Sequence, residues 1–189
     1  MIAIAVQDRT YTGAELHHAF AYEEAFQLGP TISFFIGPAE VKEHLVDLED
    51  ALHDDFIKSE RMVHFIIEIP NISIQETVVW QRFFIRLIAE KLIKEVEGVD
   101  IEIDGDDLMV EGQKLSVSIA TLSQFSGLIH VGINVHVGAG CPVDAIGLAD
   151  FGALDSHSEG DYKWASDVAI NFANEQKDIV KASYKVIGV

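Results

Sequence analysis

The chain has 189 residues, 49% of them hydrophobic and 23% charged, with 31 acidic residues against 13 basic ones and a formal net charge of -18. Such usage excludes a fibrous array or a disordered chain, and without a linker or a shift in composition the sequence is read as a single domain over 1–189. The acidity repels phosphate backbones and anionic lipid headgroups, so neither nucleic acid nor a membrane is expected as a partner, and a single cysteine, Cys141, excludes an internal disulfide.

The opening MIAIAV has no basic leader, and no apolar run reaches membrane-spanning length, so a cytoplasmic setting is expected. Residues 1–6 and 32–37 are β-branched and aromatic runs, the second stopped by Gly37-Pro38, and they predict two buried strands. Between them AELHHAFAYEEAFQLG predicts a helix ending at Gly29-Pro30. PAEVKEHLVDLEDALHDD starts with a proline suited to a first helical turn. Its Val41, Leu45, Leu48 and Leu52, spaced by three and four, predict an amphipathic helix.

Residues 62–69 (MVHFIIEI) predict a strand that Pro70 ends. Ser73 and Glu76 have the spacing of a capping box. They lead a helix whose stripe of Val79, Trp80, Phe83, Phe84, Leu87, Ile88 and Leu92 runs until Gly98. From Val99 to Val137 the apolar period becomes two, which predicts an antiparallel meander of three or four strands. A glycine-rich acidic loop follows. A last helix is built on Trp164, Val168 and Phe172, with a second capping box from Ser156 to Glu159. Strands and helices are partly segregated, so the fold class is α+β, a mixed, largely antiparallel sheet with packed helices.

Alternation within the meander puts Leu115, Val117 and Ile119 on one face, and Lys114, Ser116, Ser118 and Ala120 on the other. In LIHVGINVHV the same split sets Ile129, Val131, Ile133 and Val135 against His130, Gly132, Asn134 and His136. Were the two strands neighbours, their polar faces would join into a platform carrying an ammonium, hydroxyls, imidazoles and a carboxamide. A sheet face open to water carries the same residue types with no ligand at all, so pattern leaves both readings open.

GDDLMVEGQKLSVSIATL followed by LIHVGINVHV resembles the paired segment of biotin and lipoate protein ligases and octanoyltransferases. With GAELHHAFAYEEAF, VDLEDAL and MVHFIIEI included, the chain is similar to domain of unknown function family 366, of the same class II synthetase-like group. The resemblance implies a biotin/lipoate-ligase-like fold and a site for a small carboxylic acid or acyl group. It also implies Lys114 as the residue that meets the acyl carbonyl, with Asp107, Gly112, Ser116, Ser118, His130 and Asn134 as ligand-binding positions. A cation on a semi-dry sheet stabilises charge on a carbonyl oxygen better than it would in water.

The chain departs from the ligases at three points: Val117 stands where they carry a glycine, Ile103 where biotin ligases carry a lysine, and ALHDDFIKSERMVHF lacks a glycine-rich nucleotide loop. Octanoyltransferases place a cysteine beside the lysine, which invites comparison with Cys141, although here it sits in Gly-Cys-Pro.

Other groups have simpler uses. Arg9, Arg61, Arg82 and Arg86 could hold an anion, but salt bridges to the plentiful carboxylates account for them. His64 and Glu68 with His130 or His136 could meet at a metal, yet no zinc-type motif supports this and no metal is assigned. Glu23/Glu24 and Asp54/Asp55 are read as solvated faces, and no cofactor is assigned. Two readings therefore stand level: an acyl- or carboxylate-handling enzyme, with acyltransferase or ligase chemistry at Lys114, or a non-catalytic module of the same fold that binds a carboxylic acid or a protein. An exposed sheet edge leaves a homodimer open to either.

Overall fold

The computed structural model describes residues 1–53, 56–154 and 158–188. In chain order its first elements are β1 (Ile2–Ala5), α1 (Phe20–Ala25), β2 (Thr31–Val41), α2 (Leu48–His53), β3 (Ile57–Pro70) and α3 (Ile74–Glu95). They are followed by β4 (Ile101–Asp104), β5 (Asp107–Val110), β6 (Gln113–Lys114), β7 (Ser116–Leu122), β8 (Ser126–His136) and α4 (Ser158–Ser183). The Ser156 end of the second capping box and the Asp54/Asp55 pair lie outside the described residues.

A five-stranded sheet has the order β1-β2-β3-β8-β7, parallel at β1/β2 and antiparallel elsewhere. One face packs on α3 and α4, where Phe84 meets Phe65 with ring centroids 5.1 Å apart and Phe172 at 4.7 Å. Helix α3 begins as its sequence requires: the Ser73 hydroxyl accepts from the Glu76 N–H, and the Glu76 carboxylate accepts from the Ser73 N–H. Its buried stripe includes Phe84, Ile88 and Leu92, whereas Val79 is exposed.

The opposite face is covered by the chain between β1 and β2, whose Tyr11, Leu16 and Phe20 pack on Phe35, Ile66 and Leu128. Here the long helix expected from Ala14 to Gly29 shortens to α1, bounded by left-handed residues Ala19 (φ 65) and Phe26 (φ 54). Tertiary bonds win over helical propensity: the Ala19 N–H donates to the buried Glu68 carboxylate at 3.0 Å. Upstream, Tyr11 bridges to Ala39 as a short parallel pair, with its N–H on the Pro38 carbonyl and its own carbonyl accepting from Glu40.

Gly37-Pro38 does not end its strand. β2 continues to Val41 through a bulge between Gly37 and Ala39, which leaves Pro38 out of the ladder with β3. The same pairing overturns the amphipathic helix expected from Pro38. Ala39, Glu40 and Val41 pair with Ser59, Lys58 and Ile57, and only α2 remains helical, with Leu48 (79%) and Leu52 (81%) exposed.

The expected meander divides in two. β4, β5 and β6 form a separate three-stranded sheet, and β7 joins β8 in the large one. Leu115 makes the junction: its N–H donates to the Leu108 carbonyl on β5 at 2.8 Å, and its carbonyl accepts from the Asn134 N–H on β8 at 3.0 Å.

Register also corrects the expected faces. Ser116 pairs with Ile133 and Ser118 with Val131, so these serines share the helix-covered face, while Val117 and Ile119 share the other with Gly132 and His130. One buried hydroxyl, Ser116, and one half-buried, Ser118, are tolerated there because both are bonded. Ser116 Oγ accepts from the Leu108 N–H at 2.8 Å, and Ser118 Oγ donates to Asp106 and accepts from Gln81.

Gly37 is where the crossing is tightest, because a Cβ placed there would lie 1.8 Å from the Arg9 carbonyl oxygen. Gly37→Ala is expected to cost about 3 kcal/mol or more, read as a lowered urea midpoint; an unchanged midpoint would show that the Arg9–Tyr11 crossing contributes nothing.

Candidate functional site

A cavity of about 350 Å³ opens over the face of the large sheet turned away from α3 and α4. Tyr11, Lys58, Met62, His130 and Asn134 line it from the sheet side, and Leu45, Val46 and Phe56 from the segment joining β2 to β3. Lys114, Asp107 and Val117 border it along β5–β7, and Cys141, Pro142 and Val143 come from the glycine-rich loop. Ser116 and Ser118 also line it, although their hydroxyls are committed to Leu108 and Asp106.

Lys114 arrives there through local turn chemistry. Glu111 (φ 50) and Gly112 (φ 78) are the two central residues of the β5–β6 hairpin, both left-handed, as a tight two-residue turn of matching twist requires. Gly112 itself is not among the residues lining the cavity, which corrects its expected place at a ligand: a Cβ on it would meet nothing within 4 Å, and its part is conformational. Lys114 then pairs with Met109, donates its N–H to the Asp144 carbonyl, and accepts at its own carbonyl from Ile146 N–H and, at 3.4 Å, from Asn134 Nδ2.

The Lys114 ammonium lies 2.8 Å from Asp107 Oδ2, with the two side chains 33% and 31% exposed. Burial raises the Asp107 pKa; the hydrogen bond and charge of Lys114 pull it back down, while Asp106 and Asp104 push it further up. The pair is thus a cation held by one half-buried carboxylate at the border of the cavity.

Two buried histidines lie beneath the cavity. His64 Nε2 is 3.2 Å from the Gly37 carbonyl, and His64 Nδ1 is 3.1 Å from His130 Nε2. Tyr11 stacks on His130 with ring centroids 3.7 Å apart at 10°, and Phe35 stacks on His64 at 4.9 Å. Burial lowers the pKa of His64 to about 4, and burial with the neighbouring His64 lowers that of His130. Gly132 is needed for this packing rather than for a ligand, since a Cβ there would press on Met62, Val117 and His130.

Other expected residues lie apart. Glu68 shares the sheet face of His64, but its carboxylate is taken by His18 Nδ1 at 2.6 Å, the Ala19 N–H and the Ser126 hydroxyl at 2.8 Å. Among the described residues no group of three His, Cys, Asp or Glu side chains converges as a metal site would require. Arg9, Arg61 and Arg82 pair with Glu24, Asp161 and Asp106, and His136 lies 3.7 Å from Glu60.

Tyr11, Lys58 and Met62 line the cavity without having been singled out by sequence reasoning. Tyr11 in DRTYTG carries no local signal, because its place depends on a bridge to Ala39 far along the chain. Lys58 belongs to a short list of thirteen basic residues in a very acidic chain, and that scarcity was a usable clue.

An unfolded histidine binds a proton near pH 6.5, whereas folded His64 resists one until about pH 4. The unfolded state binds more protons across that window, so this contribution to stability is complete above about pH 6.5 and is lost as pH falls towards 4. A His64→Gln, His130→Gln variant is therefore expected to show a shallower fall in Tm with acidification than the parent; parallel curves would refute buried neutral imidazoles. Lys114→Met is expected to move the Asp107 carboxyl pKa further up, read by carbon NMR.

The chain is 34% identical over 181 residues to an uncharacterized protein of Methanocaldococcus jannaschii, covering 93% of this chain and 79% of that one. A protein of unknown function from Pyrococcus horikoshi superposes with a TM-score of 0.86 at 33% identity, over 100% of both chains. At 12% identity, a biotin protein ligase variant from Aquifex aeolicus in complex with biotin gives a TM-score of 0.53 over 94% of this chain and 72% of that one. A protein of T. acidophilum solved with bound lipoic acid gives 0.57 at 13% identity, over 91% and 85%. The last two show the shared α+β, class II synthetase-like fold. A family model described as a domain of unknown function, DUF366, matches residues 1–187, and this chain belongs to that family.

Proposed function

We propose that this chain is an acyl- or carboxylate-handling enzyme, one biotin/lipoate-ligase-like domain over 1–189, with Lys114 as its electrophilic group. The observation that carries the reading is the Lys114 ammonium, held by Asp107 at 2.8 Å beside a cavity whose other walls include Leu45, Val46, Phe56 and Val117. A carboxylate or acyl carbonyl oxygen meets the ammonium, while the hydrocarbon part of the ligand lies against the apolar wall.

Asp107 orients the amine through the 2.8 Å ion pair, which occupies only part of the ammonium's three-donor capacity. At a partly desolvated position, a fixed cation lowers the energy of a developing oxyanion more than water does. Asn134 positions Lys114 through the backbone carbonyl. His130 lines the far part of the same cavity, and Ser116 and Ser118 fix the β5–β7 wall that carries Asp107 and Lys114.

The fold shared with a biotin-bound ligase and with a protein holding lipoic acid supports a carboxylic ligand, since both ligands are small carboxylic acids. Among the described residues no helix is long and apolar enough to cross a membrane. A cytoplasmic setting, and a homodimer formed through a sheet edge, belong to this reading too.

The test is thermal unfolding with octanoate, lipoate and biotin, with their adenylates, and with ATP. A ligand near a hundredfold over its Kd is expected to raise Tm by about 5–10 °C, with the gain lost in Lys114→Ala. Equal gains in both proteins would remove Lys114 from the site. Stabilisation by free acids without any turnover of adenylates or acyl donors would leave a binding module in place of an enzyme.

A further inference from the structure

The inner end of the cavity holds polar atoms that the carboxylate reading leaves unused. The Gly37 carbonyl can only accept, so His64 must carry its proton on Nε2 to make the 3.2 Å contact. A neutral imidazole has one such proton, which leaves His64 Nδ1 bare. The 3.1 Å contact with His130 Nε2 then requires His130 to donate. His130 Nδ1 is left as a bare acceptor.

The alternative, a doubly protonated ring, would bury a charge at a residue with no exposed surface. Stacking on Tyr11 and the crowding at Gly132 keep the His130 ring in place.

Among the described residues, neither His130 Nδ1 nor the Tyr11 hydroxyl has a protein hydrogen-bond partner. The sealed, unpartnered side-chain atoms are Ser33 Oγ and Asp161 Oδ1, so the Tyr11 and His130 atoms are open, and both residues line the cavity. A donor hydroxyl and an acceptor nitrogen thus stand together over stacked rings. Neither is charged at neutral pH, since burial pushes the Tyr11 hydroxyl pKa up and the His130 pKa down.

We propose that Tyr11 and His130 form a selector for an uncharged donor–acceptor group, with His64 as the positioning residue that sets the His130 tautomer. The ligand class that follows is a carboxylic acid or acyl group bearing a hydroxyl or carboxamide towards its far end, in place of a plain hydrocarbon chain. Its carboxyl end rests on the reading of Lys114 given above; its far end does not. A plain chain would strip water from the Tyr11 hydroxyl and His130 Nδ1 without replacing it, and sites built to bond a polar group reject analogues that lack it. His130 and Asn134 share one face of β8 four residues apart, about 13 Å along the strand, and the Asn134 carboxamide is bonded to the Lys114 carbonyl. A chain of about eight carbons suits that span.

The experiment has two arms on the full chain. Nitrogen NMR near neutral pH is expected to find both His64 and His130 protonated on Nε2, and His130 is expected to lose that single tautomer in His64→Phe. A His130 protonated on Nδ1 in the parent would overturn the proposal whatever binds.

Calorimetry then compares octanoic acid, 8-hydroxyoctanoic acid and 1,8-octanediol. The hydroxy acid is expected to bind at least about tenfold more tightly than octanoic acid, and the preference to shrink to about twofold or less in Tyr11→Phe, which keeps the ring stack. Octanoic acid binding as well as the hydroxy acid would overturn the selector and leave Lys114 untouched. Binding of the hydroxy acid and the diol with equal strength, weakened in Tyr11→Phe but not in Lys114→Ala, would support the selector and remove the carboxylate from Lys114. Failure of all three to bind would overturn the selector.

Discussion

The backbone of Leu115 is held from two sides, by the carbonyl of Leu108 in the small sheet and the N–H of Asn134 in the large one. Its side chain is fully buried in the main core. Everything near the cavity hangs from that junction. On one side of it the β5–β6 hairpin delivers Lys114 next to Asp107; on the other, β7 enters register with β8 and sets Val117 beside Gly132 and Ile119 beside His130. A slip of one residue would turn the cavity-facing side chains into the helix layer, at the cost of buried hydroxyls and imidazoles losing their partners.

The two ends of the cavity differ in electrostatics for the same reason, burial. At the mouth, Lys114 and Asp107 are about one-third exposed, and water still supports a charged pair. At the inner end the imidazoles are buried against the Tyr11 and Phe35 rings, and charge is excluded in favour of a chain of neutral hydrogen bonds ending on Gly37. In a chain of net charge -18, local arrangement rather than overall field gives the site its cation. The Arg9, Arg61 and Arg82 guanidinium groups are spent in ion pairs elsewhere.

Similarity to the biotin-bound ligase, at 12% identity and a TM-score of 0.53, is one of fold. The Pyrococcus horikoshi structure, at 33% identity, shares the arrangement along its whole length. The segment from Lys42 to Phe56 contains no glycine and borders the cavity with Leu45, Val46 and Phe56. The apolar wall there and the aromatic floor built from Tyr11 are properties of this chain's own residues.

Local chemistry was legible in the sequence by itself: the α+β class, the capping box of α3, and the strand character of 62–69 and 128–137. Each depends on residues within a few positions of one another, whose dihedral preferences and periodicity act before the chain folds. Tertiary structure decided the rest. β7 and β8 both alternate, but alternation does not say which phase of one strand faces which phase of the other, and the serines fell on the helix side because Leu108, Gln81 and Asp106 satisfy them there. The start of the stretch from Pro38, as far as Val41, carried a helical spacing yet became strand, because hydrogen bonds to Tyr11 and to the Ile57–Ser59 ladder outweighed a local preference worth a few tenths of a kcal/mol per residue. Tyr11 reached His130 by the same long-range pairing, which no window of sequence contains.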